Sequence, residues 1–315
     1  MAKKTENFHN ICKNIIFNFV SEYAKEKQSV KNNAERTDDL ANKYANKLKR
    51  DFDETDGKSH RYAEIIFFPI VLMSCYEYFE KYFDEKMLNT NDESSILLLK
   101  YKNALHSLRT ISCIMQSNDF HSCLILFRAI YENLVIIKFL LKNSDCIGDF
   151  DEYSMIKLSK LYNIDGKKLS IMKTVKINSD TDKETYRITN LDIENELKKY
   201  YNWAKKKIRK DRGDINFHDI DNAVFENEKG IKEMMEKKYA LISDLIHANT
   251  SILVHPDKEE DLFRVLIDCF YQMGFALMVD VFIMLFKYIY KGQFSSEVDT
   301  FNHLFFILFP DIYGK

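Results

Sequence analysis

The sequence predicts an all-α protein, an up-and-down helical bundle with long central helices and an N-terminal helical arm. Three observations predict it. Apolar residues recur at three- and four-residue intervals over long segments, the period of a helix with one buried face. Only 8 glycines and 3 prolines occur in 315 residues, too little turn chemistry for the many short strands of a sandwich or barrel. The breaks between periodic segments carry residues that cap or end helices.

Between Asn7 and Lys25 the apolar set is Phe8, Ile11, Ile15, Phe19 and Val20. A polar segment, Glu26 to Lys58, follows and is charged nearly all round, so residues 1–58 read as an arm that serves assembly rather than as core. The core domain is expected over 59–315. Its first helix runs from Ser59 to about Met87, and Pro69 should kink or interrupt it by removing a backbone donor. Asn89 to Glu93 is a turn. Ser94 can cap a helix to about Gln116, and Asn118 or Asp119 a third to Lys142.

A charged insert is expected at about 143–228. It comprises short helical pieces around Gly148 and Gly166, a polar turn from Ser179 to Asp182, a charged helix from Lys183 to Arg209, and a loop to about Glu228. Helix resumes near Gly230 and continues to about Val254, where His255-Pro256 ends it. Asp257 with Glu260 resembles a capping box for a long helix reaching Tyr290, and a short helix from Ser296 to Phe309 stops at Pro310.

The formal net charge of −2 sets up no global field toward nucleic acid or an anionic membrane. The six cysteines lack CxxC spacing and lie mostly in apolar helical stretches, where a free thiol behaves as a small hydrophobe. Met1-Ala2-Lys3-Lys4 leads into polar sequence with no apolar signal core, so a cytoplasmic location is expected. The run from Cys269 to Phe286 contains Gln272 and Asp280 and is bounded by Asp268 and Lys287, which suits a core helix better than a membrane span.

Two polar stripes stand out. In His121-Ser-Cys-Leu-Ile-Leu-Phe-Arg128-Ala-Ile-Tyr-Glu132, Arg128 and Glu132 are four residues apart on one face, and His121 lies near the same stripe. From Cys123 to Leu141 few polar residues interrupt the apolar ones, so this helix is expected to be central and its charges buried and partnered. In Tyr239-Ala-Leu-Ile-Ser243-Asp-Leu-Ile-His247, three polar side chains fall at four-residue steps, with Asp244 the only formal charge between Lys238 and His255. If the stripes face each other, Arg128 can hold an anion, Glu132 can orient an imidazole, and His247 can move a proton at neutral pH. Ser243 is then a ligand or weak nucleophile, with His121 and Tyr239 in support. The alternative is a structural polar network in which the Ser243 hydroxyl bonds a helix carbonyl.

With Phe127-Arg128-x-x-x-Glu132 and Tyr239-x-x-x-Ser243-x-x-x-His247, the chain resembles a bacterial all-helical family of unknown function over roughly Arg61 to Tyr290. That family in turn is similar to the HEPN superfamily, helical bundles that include ribonuclease toxins and antiviral effectors. The resemblance implies a HEPN-like bundle. The superfamily's hallmark, Arg followed by His after four to six residues, occurs here only at Arg212 to His218, in a segment read as loop.

From Lys198 to Arg212 eight basic residues fall within fifteen, interleaved with two tyrosines and the single tryptophan. Lys205, Lys206, Lys207, Arg209 and Lys210 suit phosphates and Trp203 suits an unpaired base, so RNA is the nucleic-acid partner this strip would take. Aromatics packed inward from a solvated helix end are the alternative. His218-Asp219 resembles one element of a metal phosphohydrolase, yet no second pair completes it. Phosphate loops, HExxH and Cys or His clusters do not occur, so no metal and no cofactor is expected.

Two functions are carried forward. One is a defence or toxin-type effector acting on RNA or another phosphate-containing substrate through a buried Arg128, Glu132, Ser243 and His247 cluster, as a metal-independent ribonuclease-like hydrolase or phosphotransferase. The other is a non-catalytic helical scaffold, homo-oligomeric or bound to a partner protein through the arm.

Overall fold

The structure, a computed structural model, describes residues 2–29, 34–55, 63–86, 92–115, 119–161, 201–208, 214–248, 266–267, 269, 274–290 and 295–308. Among them are ten α-helices and no strand. The helices are α1 (Ala2–Ser29), α2 (Ala34–Thr55), α3 (Ala63–Lys86), α4 (Asp92–Met115), α5 (Phe120–Lys142), α6 (Ile147–Leu161), α7 (Phe217–Val224), α8 (Lys229–Ala248), α9 (Leu277–Tyr290) and α10 (Ser295–Leu308). The chain divides into two compact units. The first comprises Met1–Ile137 with Gly230–Lys315, and the second is Lys138–Lys229. Most of the helix expected at Lys183 to Arg209, and the ending at His255-Pro256, lie outside the described residues.

The first unit is organised around α3, which packs against α1, α4 and α9. From Ile65 to Tyr76 every side chain of α3 is buried, the pattern of a helix surrounded on all sides. Pro69 lies inside this helix without ending it. Because proline has no N–H, the carbonyl of Ile65 loses its intrahelical donor. Ser112 of α4 supplies one, its hydroxyl lying 2.7 Å from the Ile65 oxygen. Of the kink or interruption expected at Pro69, the interruption does not occur, and the carbonyl that proline leaves without a donor is satisfied from the neighbouring helix.

Within residues 1–58, expected as an arm, the described helices α1 and α2 pack into the first unit. Helix α1 buries Phe8, Cys12, Ile15, Ile16, Phe19 and Val20, and α2 buries Ala41, Tyr44, Ala45, Leu48 and Phe52. Helix α1 packs on α2 and α3, and α2 on α10. Phe8 meets Phe52 at 5.0 Å between ring centroids and Phe67 of α3 at 6.0 Å. The charged composition of α2 concealed a narrow apolar row at alternating three- and four-residue steps, enough to seat one face of a helix.

On the other side of α3 the rings of Phe79, Phe282, Phe286 and Phe301 cluster, with Phe79 stacked on Phe286 at 4.2 Å. Tyrosines at the edges of the cluster keep their hydroxyls bonded: Tyr101 donates to the Met278 carbonyl at 3.1 Å and Tyr290 to the Phe79 carbonyl at 3.0 Å. Apolar area and polar satisfaction are met together, as buried phenols require. Before α9, Gly274 brings the backbone against α4 and α5, where a Cβ would lie 3.1 Å from Leu108 Cδ1 and 3.3 Å from Phe127 Cε1.

The second unit holds the last turn of α5, then α6 and α7, around Phe139, Phe150 and Trp203. Lys138 is 4% exposed, sits 3.2 Å from Glu228 and lies over the Phe225 ring. Lys142 donates to the Val224 carbonyl at the C-terminal end of α7, where the helix dipole favours a cation. Asn216 and Asp219 form a capping box at the start of α7, so the Asp219 carboxylate accepts the Asn216 backbone N–H at 2.8 Å. Among the described residues, no helix is long and apolar enough to cross a membrane.

Candidate functional site

Helix α5 places the first stripe. Phe127, Ile130, Tyr131, Leu134 and Val135 are buried, which turns the opposite edge outward with His121, Ile125, Arg128, Ala129, Glu132 and Asn133 on it. Helix α8 buries Met235, Ile242 and Leu245 and brings Tyr239 to that edge.

The two stripes meet at Tyr239. Arg128 Nε donates to Glu132 Oε1 at 2.9 Å, and the Tyr239 hydroxyl donates to the same oxygen at 2.7 Å. The Arg128 guanidinium carbon lies 5.5 Å from the centroid of the Tyr239 ring, within cation–π range, and that ring contacts Tyr131 at 5.4 Å. One carboxylate oxygen, one guanidinium and two phenol rings therefore join α5 to α8.

The cluster is not sealed. The Arg128 and Glu132 side chains are 32% and 30% exposed, which corrects the expectation of buried charge. An apolar helix need not bury every residue, and Arg128 can lay its alkyl stem on the core while its head reaches solvent.

The electrostatics follow from the same contacts. The Glu132 carboxylate beside Arg128 raises the guanidinium's already high pKa, outweighing partial burial. Burial raises the Tyr239 pKa, and its hydrogen bond to Glu132 raises it further. Tyr239 is therefore a protonated donor throughout the neutral range.

The remaining expected residues are placed as follows. Ser243 is half-buried one turn beyond Tyr239 and takes no part in the Arg128–Glu132–Tyr239 contacts. His247 lies in the last turn of α8, and its side chain is outside the described residues. His121 is exposed near the N-terminus of α5. Tyr131, which the spacing of the polar stripe does not pick out, joins the site through its ring contact with Tyr239.

In the second unit Trp203 is 5% exposed, with its indole against Phe139 and Phe150, so it offers no face to a base. Lys206 pairs with Asp149 at 2.6 Å and Lys207 with Asp145 at 2.9 Å, while Lys205 is exposed. Arg209 and Lys210 lie outside the described residues. Asp219, half of the His218-Asp219 pair, has a capping role.

The sequence model of a family of unknown function, DUF5677, matches residues 94–263, more than half of the chain. The chain belongs to this family. The matched region contains Arg128, Glu132, Tyr239, Ser243 and His247, so the joined stripes are inside what the family model describes. No curated protein and no solved structure matches the chain.

Proposed function

We propose that the first unit carries a site for a phosphate-bearing substrate, RNA in a bacterial defence or toxin system, on the edge where α5 meets α8. The observation that carries this reading is a partly exposed arginine held by a carboxylate that a phenol also grips. A guanidinium oriented in this way is a preorganised counter-charge for an anion, worth more than one that must be ordered on binding. Arg128 is the anion anchor, and Glu132 and Tyr239 position it. His247, two turns beyond Tyr239, moves protons between attacking and leaving oxygens in a metal-independent hydrolysis or phosphotransfer. The distant likeness to the HEPN superfamily is part of the same reading.

The test is RNA cleavage by the purified chain together with growth arrest on expression. Arg128→Ala and His247→Ala should each lose at least about a hundredfold in activity, the lower end of what acid–base and electrostatic groups contribute. Full activity in both variants would remove the site from the reaction.

A second reading is a non-catalytic scaffold in which the cluster ties α8 to α5. It is favoured by one observation: Glu132 Oε1 already accepts both donors. On that reading Arg128→Ala lowers stability and leaves no nucleic-acid phenotype.

A further inference from the structure

The outer row of α4 differs from an ordinary solvent face. Its exposed positions among the described residues are Ser95, Leu99, Asn103, His106, Thr110 and Cys113, and none of them is Asp, Glu, Lys or Arg. The chain as a whole is 30% charged, and the exposed positions of α8 include Glu233, Lys237 and Asp244. Depletion of charge marks the centre of a protein interface, whereas a solvated helix face carries Lys and Glu. The hydroxyls on this side are also turned inward. Thr110 donates to the His106 carbonyl at 2.9 Å, and Ser107 beside it donates to the Asn103 carbonyl at 3.0 Å. Covering the row therefore strands neither hydroxyl donor. Leu99, toward its other end, is 60% exposed. Helix α5 runs antiparallel alongside, bonded through Lys100 and Asn133 and meeting Gly274 together with α4 through Leu108 and Phe127. It presents Ile125, 46% exposed, at about the level of Thr110.

We propose that this face is an isologous interface on which a second copy of the chain docks, its α4 antiparallel to the first about a two-fold axis between Asn103 and His106. The interface goes beyond the phosphate reading of the α5–α8 edge and does not depend on it. Charge selects the occupant. Two-fold pairing sets a surface against itself, so a charged row would meet like charges, and a row without Lys, Arg, Asp or Glu meets none. Spacing sets the orientation. The six positions follow one another at four- and three-residue steps and read nearly the same from either end. With Asn103 against the partner's His106, Leu99 falls against the partner's Thr110 and Ser95 near the partner's Cys113. Asn103 and His106 offer each other donor and acceptor atoms across the axis. Ile125, level with Thr110, comes beside the partner's Leu99, so the exposed aliphatic side chains of the face cover each other. From Ser95 to Cys113 the row spans about 27 Å, and with α5 the face is about 20 Å wide. That is of the order of the roughly 600–1,000 Å² that each partner gives to a standard interface.

Light scattering of the full chain after size exclusion tests this. The native chain is expected at twice its 37.4 kDa mass. Asn103→Lys and His106→Glu each set like charges beside the axis, at positions exposed in the single chain, and each should halve the mass. Mixed in equal amounts, the two variants should regain the dimer, because the ammonium introduced in one chain meets the carboxylate introduced in the other. Recovery on mixing also shows that both variants are folded. Asn14→Lys, at an exposed position of α1, should leave the dimer intact. A native chain that runs as a monomer overturns the proposal, as does an Asn103→Lys chain that keeps the dimer mass or a mixture that stays monomeric. Loss of the dimer in Asn14→Lys would place the interface on α1 and overturn it equally.

Discussion

At the scale of single residues, the decisive group is Tyr239, because it converts an intrahelical ion pair into a contact between helices. An Arg–Glu pair at i and i+4 that is about one-third exposed stabilises a helix by only a few tenths of a kcal/mol, since solvent screens it. A hydrogen bond from a half-buried phenol to the same carboxylate adds about 1 kcal/mol. Tyr239→Phe keeps the ring against Tyr131 and removes only the hydroxyl, so chemical denaturation should report a loss of about 1 kcal/mol. The pH dependence has a definite sign. The folded pKa of Tyr239 lies above its unfolded value, so its contribution is complete below the unfolded pKa and is lost as pH rises through the folded one. Tyr239→Phe should therefore flatten the alkaline limb of the stability profile. An unaltered limb would mean that the bond to Glu132 is not formed in solution.

At the scale of elements, α3 shows how neighbouring helices complete one another. Ser112→Ala leaves the Ile65 carbonyl buried beside a proline that cannot donate to it, and a loss of about 1–3 kcal/mol is expected in denaturant melts. Replacing Pro69 with Ala in the same chain restores an intrahelical donor, so the Ser112 effect should shrink in the double variant. Additive losses would show that Pro69 is not what makes Ser112 matter. The join between α1 and α3 is electrostatic as well as apolar. Burial pushes the Glu77 carboxyl up, but His9 and Lys13 of α1 outweigh it and hold the pKa below the usual range. That stabilisation is present above the unfolded carboxylate pKa and is lost as pH falls through the depressed folded value. Glu77→Gln should flatten the acid limb of the stability profile, and an acid limb that stays as steep would place the transition in other carboxylates.

At the scale of the whole molecule, deleting residues 1–58 removes the helices that cover Phe67 of α3 and one side of α10. The shortened chain should lose its cooperative thermal transition, because exposing a face of that size exceeds the net stability of an ordinary domain. A well-folded remainder with a sharp transition would restore the view of these residues as an arm. Whereas α7 with its Asn216 cap falls in the stretch to Glu228 that was expected as loop, the long central helices, the cap at Asp119, and the Arg128 and Glu132 pair were legible in the sequence because periodicity and capping are local. The placement of α1 and α2 was not, since a narrow apolar row on a charged helix indicates that one face is buried without saying against what. Nor was the direction of Trp203, because base-stacking and core aromatics have the same composition and differ only in which neighbours they meet. Local periodicity alone is enough for an all-helical chain and for the polar stripes on α5 and α8. The join of the stripes at Tyr239, the partial hydration of the pair at their junction and the completion of α3 by Ser112 lie beyond local pattern, because each depends on contacts between residues far apart in the chain.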